Sequence, residues 1–228
     1  MPNPTTRLRP LAAAALLVLA GTAQADVTFF TSSVAWNNAV SQPATDNLNS
    51  LGAQVGSTLA TPVNRSAGAY SYGFFGYDTL NSGAETVQVG GVTADDAFMT
   101  VTHPWDILII DRISNAPKAF SINLFAVTDN DTFVTGPVTL EILDTLGRNK
   151  SYTINPGSAT AGSFIGVTSD AAIRIINVYT ATTESFTYVA MDNVTFAGLA
   201  APVPEPANYA LMLGGLAALG MVARRRKA

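Results

Sequence analysis

Cysteine is absent from this chain of 228 residues, and histidine occurs once, at His103. The first absence excludes disulfides, thiolate catalysis and zinc–thiolate sites. The second excludes a metal centre built from several imidazoles. A catalytic triad would have to use His103 as its base, and no Gly-x-Ser-x-Gly elbow accompanies it. Next to Pro104 and Trp105, His103 reads as a lone surface or packing residue in a loop or at a strand end. Charge is sparse as well, at 12% of residues, and basic charge is unevenly placed. Arg7 and Arg9 lie near one end, and Arg224, Arg225, Arg226 and Lys227 near the other. Between residues 26 and 201, six Lys and Arg face fifteen Asp and Glu, a formal charge of −9 against −4 for the whole chain. Such a segment is poorly suited to nucleic acid or other polyanions, which need Lys and Arg. It suits neutral sugars or divalent cations.

Long apolar runs are confined to the two ends. Arg7 and Arg9 precede an apolar stretch over 11–20, and Ala23-Gln24-Ala25 follows as a small-x-small cleavage site, with Ala23 and Ala25 at its small positions. This is the layout of a secretory signal peptide over 1–25, removed by signal peptidase to leave Asp26 first. At the other end, Pro204-Glu205-Pro206 precedes an uncharged run over 207–223. As a helix this run is about 25 Å long, close to the lower limit for crossing a bilayer. Its glycines suit a membrane helix better than an exposed soluble one. The Arg224, Arg225, Arg226, Lys227 cluster that follows acts as a cytoplasmic stop. The prolines hold the preceding segment extended. The predicted organisation is therefore a signal peptide (1–25), a folded domain (26–198), a linker with the Pro-Glu-Pro triplet (199–206), and a hydrophobic helix with a basic tail (207–228).

The residues Val203-Pro204-Glu205-Pro206, Tyr209-Ala210-Leu211, Gly214-Gly215-Leu216, Leu219-Gly220 and the Arg cluster resemble the PEP-CTERM sorting domain of Gram-negative bacteria. That resemblance implies transient membrane anchoring and recognition by an exosortase that cleaves near the triplet. It also implies delivery to the cell surface or an extracellular matrix rich in polysaccharide. It describes sorting and transfers no biochemical activity. Within the domain, FIGVTSDAAIRIINV and YVAMDNVTFA are similar to PEP-CTERM passenger domains. Such domains resemble β-sandwich lectins and carbohydrate-binding modules, with a Phe-x-Gly-Val-x-Ser strand before a final Asp-Asn-x-x-Phe strand.

The domain itself is rich in Thr, Val, Ile and Phe, punctuated by Gly, Asn and Asp, a strand-and-turn composition. Ser32 or Ser33 caps a short helix that runs to Val40 and ends before Pro43. Strands are expected at 27–31, 45–51, 70–76, 86–89, 97–102 and 107–113, with a loose stretch over 52–68. Apolar and polar residues alternate in Phe120-Ser121-Ile122-Asn123-Leu124 and in Val138-Thr139-Leu140-Glu141-Ile142, as in strands with one buried face. Further strands are expected at 152–154, 164–167, around Ile173 to Ile175, and at 188–196, with a turn over 146–149. About ten strands with one short N-terminal helix predict a mainly β, antiparallel β-sandwich of jelly-roll or lectin-like type.

Oxygen-rich positions supply the candidate sites. Asp129-Asn130-Asp131-Thr132 lies between strands, and Asp129 and Asp131 are candidate calcium ligands, although the spacing is not that of an EF-hand. Asp192, in a strand over 188–196, should share a face with Ala190, Val194 and Phe196. An inward carboxylate there either ligates a structural calcium or accepts backbone hydrogen bonds. Paired acids for glycoside hydrolysis are sought at Asp95-Asp96 and at Asp106 with Asp111; in an extended strand Asp95 and Asp96 point to opposite faces. Tyr70, Tyr72 and Phe74 should share one face, as core or as a sugar platform. The expectation is a non-enzymatic, exported module with no catalytic or cofactor-binding residues, associated with extracellular polysaccharide. The alternatives are a secreted polysaccharide hydrolase and a purely structural matrix protein.

Overall fold

A computed structural model describes residues 26–91, 93–160, 162–180, 187–201 and 214–215. The elements run β1 (Val27–Phe30), α1 (Ser33–Ala39), β2 (Val40–Asp46), a 3-10 turn (Asn49–Gln54), β3 (Thr58–Leu59), β4 (Val63–Ala67), β5 (Tyr70–Asp78), β6 (Gly83–Glu85) and β7 (Val87–Gly90). A second 3-10 turn (Ala94–Asp96) precedes β8 (Phe98–Val101), β9 (Ile107–Asp111), β10 (Ala119–Val127), β11 (Phe133–Val134), β12 (Val138–Asp144), β13 (Asn149–Ile154), β14 (Phe164–Ser169), β15 (Ile173–Thr180) and β16 (Tyr188–Leu199). The strands form two antiparallel sheets. The nine-stranded sheet has the order β1-β14-β10-β16-β8-β7-β3, with β11 on β10 and β2 on β16. The seven-stranded sheet has the order β13-β12-β15-β9-β5-β4, with β6 on β5. The sequence expectation of a mainly β, two-sheet antiparallel domain with one short helix is met.

One apolar layer joins the sheets. Phe120, Ile122, Leu124, Met191 and Phe196 enter it from the larger sheet, and Tyr72, Phe74, Ile110, Leu140 and Ile176 from the smaller. The aromatic segment of β5 is thus core: Tyr70 and Tyr72 lie 5.7 and 5.3 Å from the Phe196 ring. One polar node crosses this layer. The buried Asp46 of β2 accepts hydrogen bonds from Arg65 Nε (2.9 Å) and Nη2 (2.6 Å), from Tyr72 Oη (2.9 Å) and from the Leu48 amide (3.1 Å). Burial opposes the charge on Arg65, but its bond and attraction to Asp46 outweigh this and raise its pKa.

The helix forms as expected, with Ser32 Oγ accepting the Ala35 amide at 3.3 Å. It closes one end of the larger sheet's outer face. Trp36 is buried there, donating Nε1–H to the Val167 carbonyl at 3.1 Å and meeting Phe164 edge-on at 6.2 Å. Gly166 makes room, since a Cβ there would sit 2.4 Å from the Trp36 ring. The Phe-x-Gly-Val-x-Ser pattern is therefore a seat for this tryptophan.

Four local expectations are revised. The strand expected at 45–51 is instead β2 at Val40–Asp46. Asp46 caps the Leu48 amide, Leu48 takes φ 59°, and a 3-10 turn follows. Pro43, expected to end the helix, lies within β2, where an irregularity in the pairing with β16 and a positive φ at Gln42 accommodate it. The loose stretch at 52–68 holds β3 and β4. Sixteen strands occur among the described residues, more than the ten or so expected; the additions include β4 and the two- and three-residue strands β3, β6 and β11, which are too short to show alternation.

Asp26 and Val27 begin, and Gly198 and Leu199 end, at one level of the larger sheet. Val27 pairs with Ser169, Ser169 donates to Lys118, and Lys118 donates to Ala197. Of the segment read as a hydrophobic helix, only Gly214 and Gly215 are described, as helical. No helix among the described residues is long and apolar enough to cross a membrane.

The polar node yields a stability prediction. Replacing Arg65 with Leu leaves the buried Asp46 without its cation and should cost about 3 kcal/mol. Tyr72→Phe removes one hydrogen bond and should cost about 1 kcal/mol. Urea unfolding checks both, and an Arg65→Leu protein as stable as the parent would refute the assignment.

Candidate functional site

β10 is buried on both faces for most of its length. Phe120, Ile122, Leu124 and Ala126 face the shared core. Its outward residues, Ala119, Ser121, Asn123, Phe125 and Val127, lie in three different settings. At one end Ala119 packs with Trp36, Val40 and Ala197. At the other, Phe125 and Val127 pack with Phe98, Ala190, Phe133 and Tyr188. Ser121 and Asn123 lie between, and a groove opens over them.

The groove exists because β16 contains a bulge. Val189 and Met191 point into the core, and so do Val194 and Phe196. Strict alternation cannot place both pairs on one face, so one extra residue is needed between them. Asn193 supplies it with φ 55°, and the pairing with β10 shifts between Ser121 and Asn123. The expectation that Asp192 shares a face with Val194 and Phe196 is therefore corrected. Asp192 lies on the outer side with Ala190, away from the core. The Asp-Asn-x-x-Phe pattern encodes this bulge and the Phe196 that restores the core phase.

Two cavities share Asn123 and Asn193. One, of about 310 Å³, is lined by Trp36, Thr45, Ser121, Phe164 and Thr195 among others. Here Thr45 and Thr195 hydroxyls are 2.8 Å apart, and Asn123 donates to Ser163 Oγ at 2.9 Å. The other, of about 450 Å³, is lined by Phe98, Phe125 and Phe133 and by Asp96, Asp131 and Asp192. Asp192 accepts the Asn193 amide at 2.6 Å and its side-chain Nδ2 at 2.8 Å. Burial, with repulsion from Asp46 and Asp96, pushes its pKa up to about 6 against the lowering effect of the Asn193 amide. Asp131 is also raised by burial, although the Gly91 amide donates to it at 3.2 Å.

The sequence candidates separate accordingly. Asp131 and Asp192 share the larger cavity, and Asp131 also lines a neighbouring cleft with Asp129, Thr128 and Tyr188, which Asp192 does not reach. The 128–132 segment is a closed turn, with Thr128 donating to the Thr132 carbonyl at 2.8 Å. Among the described residues, no three His, Asp or Glu side chains are placed to hold a metal ion. Asp95 and Asp96 lie on a 3-10 turn and not on an extended strand, and Asp96 closes a capping box with Thr93. Asp106 and Asp111 stand at opposite ends of β9, about 16 Å apart along a strand, too far for a hydrolytic pair. Asp106 is buried, with its Oδ2 3.2 Å from His103 Nδ1, so His103 is not free of partners. Trp105 stacks on His103 and is 42% exposed. Sequence reasoning missed Asn123, Phe98, Phe125 and Phe133. Asn123 had a legible signal, being a polar residue on the outward phase of a strand whose outward neighbour Phe125 is apolar. Ala23, Ala25, Pro204, Glu205, Pro206 and the Arg224, Arg225, Arg226, Lys227 cluster lie outside the described residues.

The raised pKa of Asp192 gives a pH prediction. In the folded state this group holds its proton more tightly than in the unfolded chain. The resulting stabilisation is complete below the ordinary carboxylate range and is lost as pH rises through about 6. Asp192→Asn mimics the protonated form. Its Tm should match the parent near pH 4 and exceed it at pH 7.5. Equal Tm differences at both pH values would contradict the placement of Asp192.

Against known proteins, residues 202–227 match the PEP-CTERM protein-sorting motif. No curated protein and no solved structure matches the chain. The motif covers the Pro-Glu-Pro triplet, the apolar run and the basic cluster, and it identifies the chain as a PEP-CTERM protein, exported, membrane-transiting and processed by an exosortase.

Proposed function

We propose that this exported protein is a non-catalytic module that holds extracellular polysaccharide in the groove on the outer face of its nine-stranded sheet. The observation that carries this reading is the continuity of the groove. A trough of amides and hydroxyls, from Thr45, Ser121, Asn123 and Thr195, runs through Asn193 into a cavity walled by Phe98, Phe125 and Phe133. Sugar rings offer hydroxyls at their rims and apolar faces, and a site with a few convergent polar groups against aromatic walls matches both. Placement supports the reading too. Asp192 lies six residues from Gly198 along β16, about 20 Å from the level at which both membrane-directed segments leave the domain. The groove's aromatic end therefore lies far along the sheet from both ends of the domain. In this reading the signal peptide is removed by signal peptidase, and the finished protein resides at the cell surface or in the matrix of a Gram-negative bacterium.

A second reading, polysaccharide hydrolysis, is favoured by one observation. Three carboxylates line the larger cavity, and the raised pKa of Asp192 suits a general acid. The binding reading is preferred because Asp96, one of the three acids, is committed to Thr93 in a capping box.

Two measurements test this. Intact-mass analysis of the protein from native cells and medium should show loss of residues 1–25 and of the segment after the Pro-Glu-Pro triplet. A mature form keeping Arg224 to Lys227 would refute processing. Glycan-array binding by the processed protein should be weakened about tenfold by Asn123→Ala, which removes a charge-free donor and acceptor from the centre of the groove. Reducing ends released from matrix polymer by the parent but not by Asp192→Asn would establish the hydrolase instead.

A further inference from the structure

The aromatic end of the groove carries more charge than recognition of hydroxyls requires. Two of the chain's buried carboxylates are compensated by arginines, and buried Asp78 and Asp106 are held by Asn81 with backbone amides and by His103. Asp46 is paired with Arg65, and Asp144 with Arg148 at 2.7 Å. In the larger cavity no Lys, Arg or His is among the lining residues. Neither Asp131 nor Asp192 forms an ion pair among the described residues; their partners are the Gly91 amide and Asn193 respectively. Desolvated carboxylates without a cation are costly, and their persistence beside an open cavity marks a site rather than a brace.

The cavity is also built around these groups. Gly90 has no side chain where a Cβ would lie 2.2 Å from the Phe98 ring and 2.8 Å from Asp131 Oδ1, so ring and carboxylate approach each other across it. The edge-on pair Phe98–Phe125, 5.2 Å between centroids, forms a wall on the same side. Carboxylates alternating with aromatic faces suit an ammonium group, which gains from charge-assisted hydrogen bonds and from the ring faces together. A metal ion would need several oxygens converging on one point, and that convergence is missing among the described residues.

We propose that this cavity receives the ammonium group of an amino sugar, so that the groove selects polymers of deacetylated hexosamine over neutral and acidic polysaccharides. The proposal rests on the polysaccharide reading above and specifies its substrate class. The amide and hydroxyl trough beside the cavity takes the neutral part of the next sugar. The −9 formal charge of residues 26–201 repels uronate and sulfate polymers at longer range.

Calorimetric titration of the processed protein with four tetrasaccharides tests the proposal: glucosamine, N-acetylglucosamine, glucose and a uronate, at about 0.15 M salt so that distant charges are screened. Glucosamine tetramer should bind about tenfold more tightly than its acetylated counterpart, and the uronate should not bind. Asp192→Asn and Asp131→Asn should each remove most of that preference and leave the neutral tetramers within about twofold. Asp26→Asn, at the opposite end of the domain, should change nothing. Equal binding of amine and neutral tetramers would overturn the amine selectivity and leave the polysaccharide reading standing. Binding of none would overturn both. A loss with Asp26→Asn as large as with Asp192→Asn would mean attraction by net charge and sink the site. Calcium that raises the Tm of the parent but not of Asp192→Asn would make the cavity a metal site and equally overturn the proposal.

Discussion

The outer face of the larger sheet is organised by a constraint inside β16. This strand must give Val189 and Met191 to the core on one side, and Val194 and Phe196 on the other, within a pleat of period two. The only solution is an added residue, and Asn193 takes it in the left-handed region that asparagine tolerates better than most side chains. The bulge releases Asp192 and Asn193 from the core and turns them to the outer side. Both cavities of the groove meet at Asn193 and at Asn123, the residue paired with Asp192 across the ladder. The groove is therefore a consequence of keeping the core continuous across a break in phase.

The two sheets are held without covalent cross-links, by the apolar layer and by polar nodes that are satisfied. Asp46 bonds to Arg65, Tyr72 and a backbone amide, and Asp144 accepts from Arg148 Nε, from two backbone amides and from Ser169. Against this background, the carboxylates of the larger cavity are out of character. Arg65 and Arg148 neutralise Asp46 and Asp144, whereas aromatic rings and no cation stand around Asp131 and Asp192. This difference is what the proposed binding site on the outer face of the larger sheet is built from.

Sorting follows from a short linear pattern at 202–227, and the protein needs no fold to display it. The β-rich domain before it folds as a unit whose two ends leave from one level of the larger sheet. The helix α1 contributes to this arrangement without touching the carboxylates: Trp36, seated over Gly166, closes the groove at the end nearest the termini.

Much of the domain was legible from residue order. Alternation in β10 and β12, the turn at 146–149, the cap at Ser32 and the core role of Tyr72 and Phe74 depend on neighbours two to four residues away. β3, β6 and β11 were not legible, because strands of two or three residues carry no period. Nor was the true strand at Val40–Asp46, because a proline there reads as a stop until its partner strand accommodates it. The sorting address at 202–227 belongs wholly to the sequence, since it is a pattern of neighbouring residues. The meeting of Asp131 with Asp192, 61 positions apart, and of both with Phe98 and Phe125, was decided by the tertiary structure alone. Strand order and the bulge in β16 bring them together, and neither is a property of any local stretch of chain.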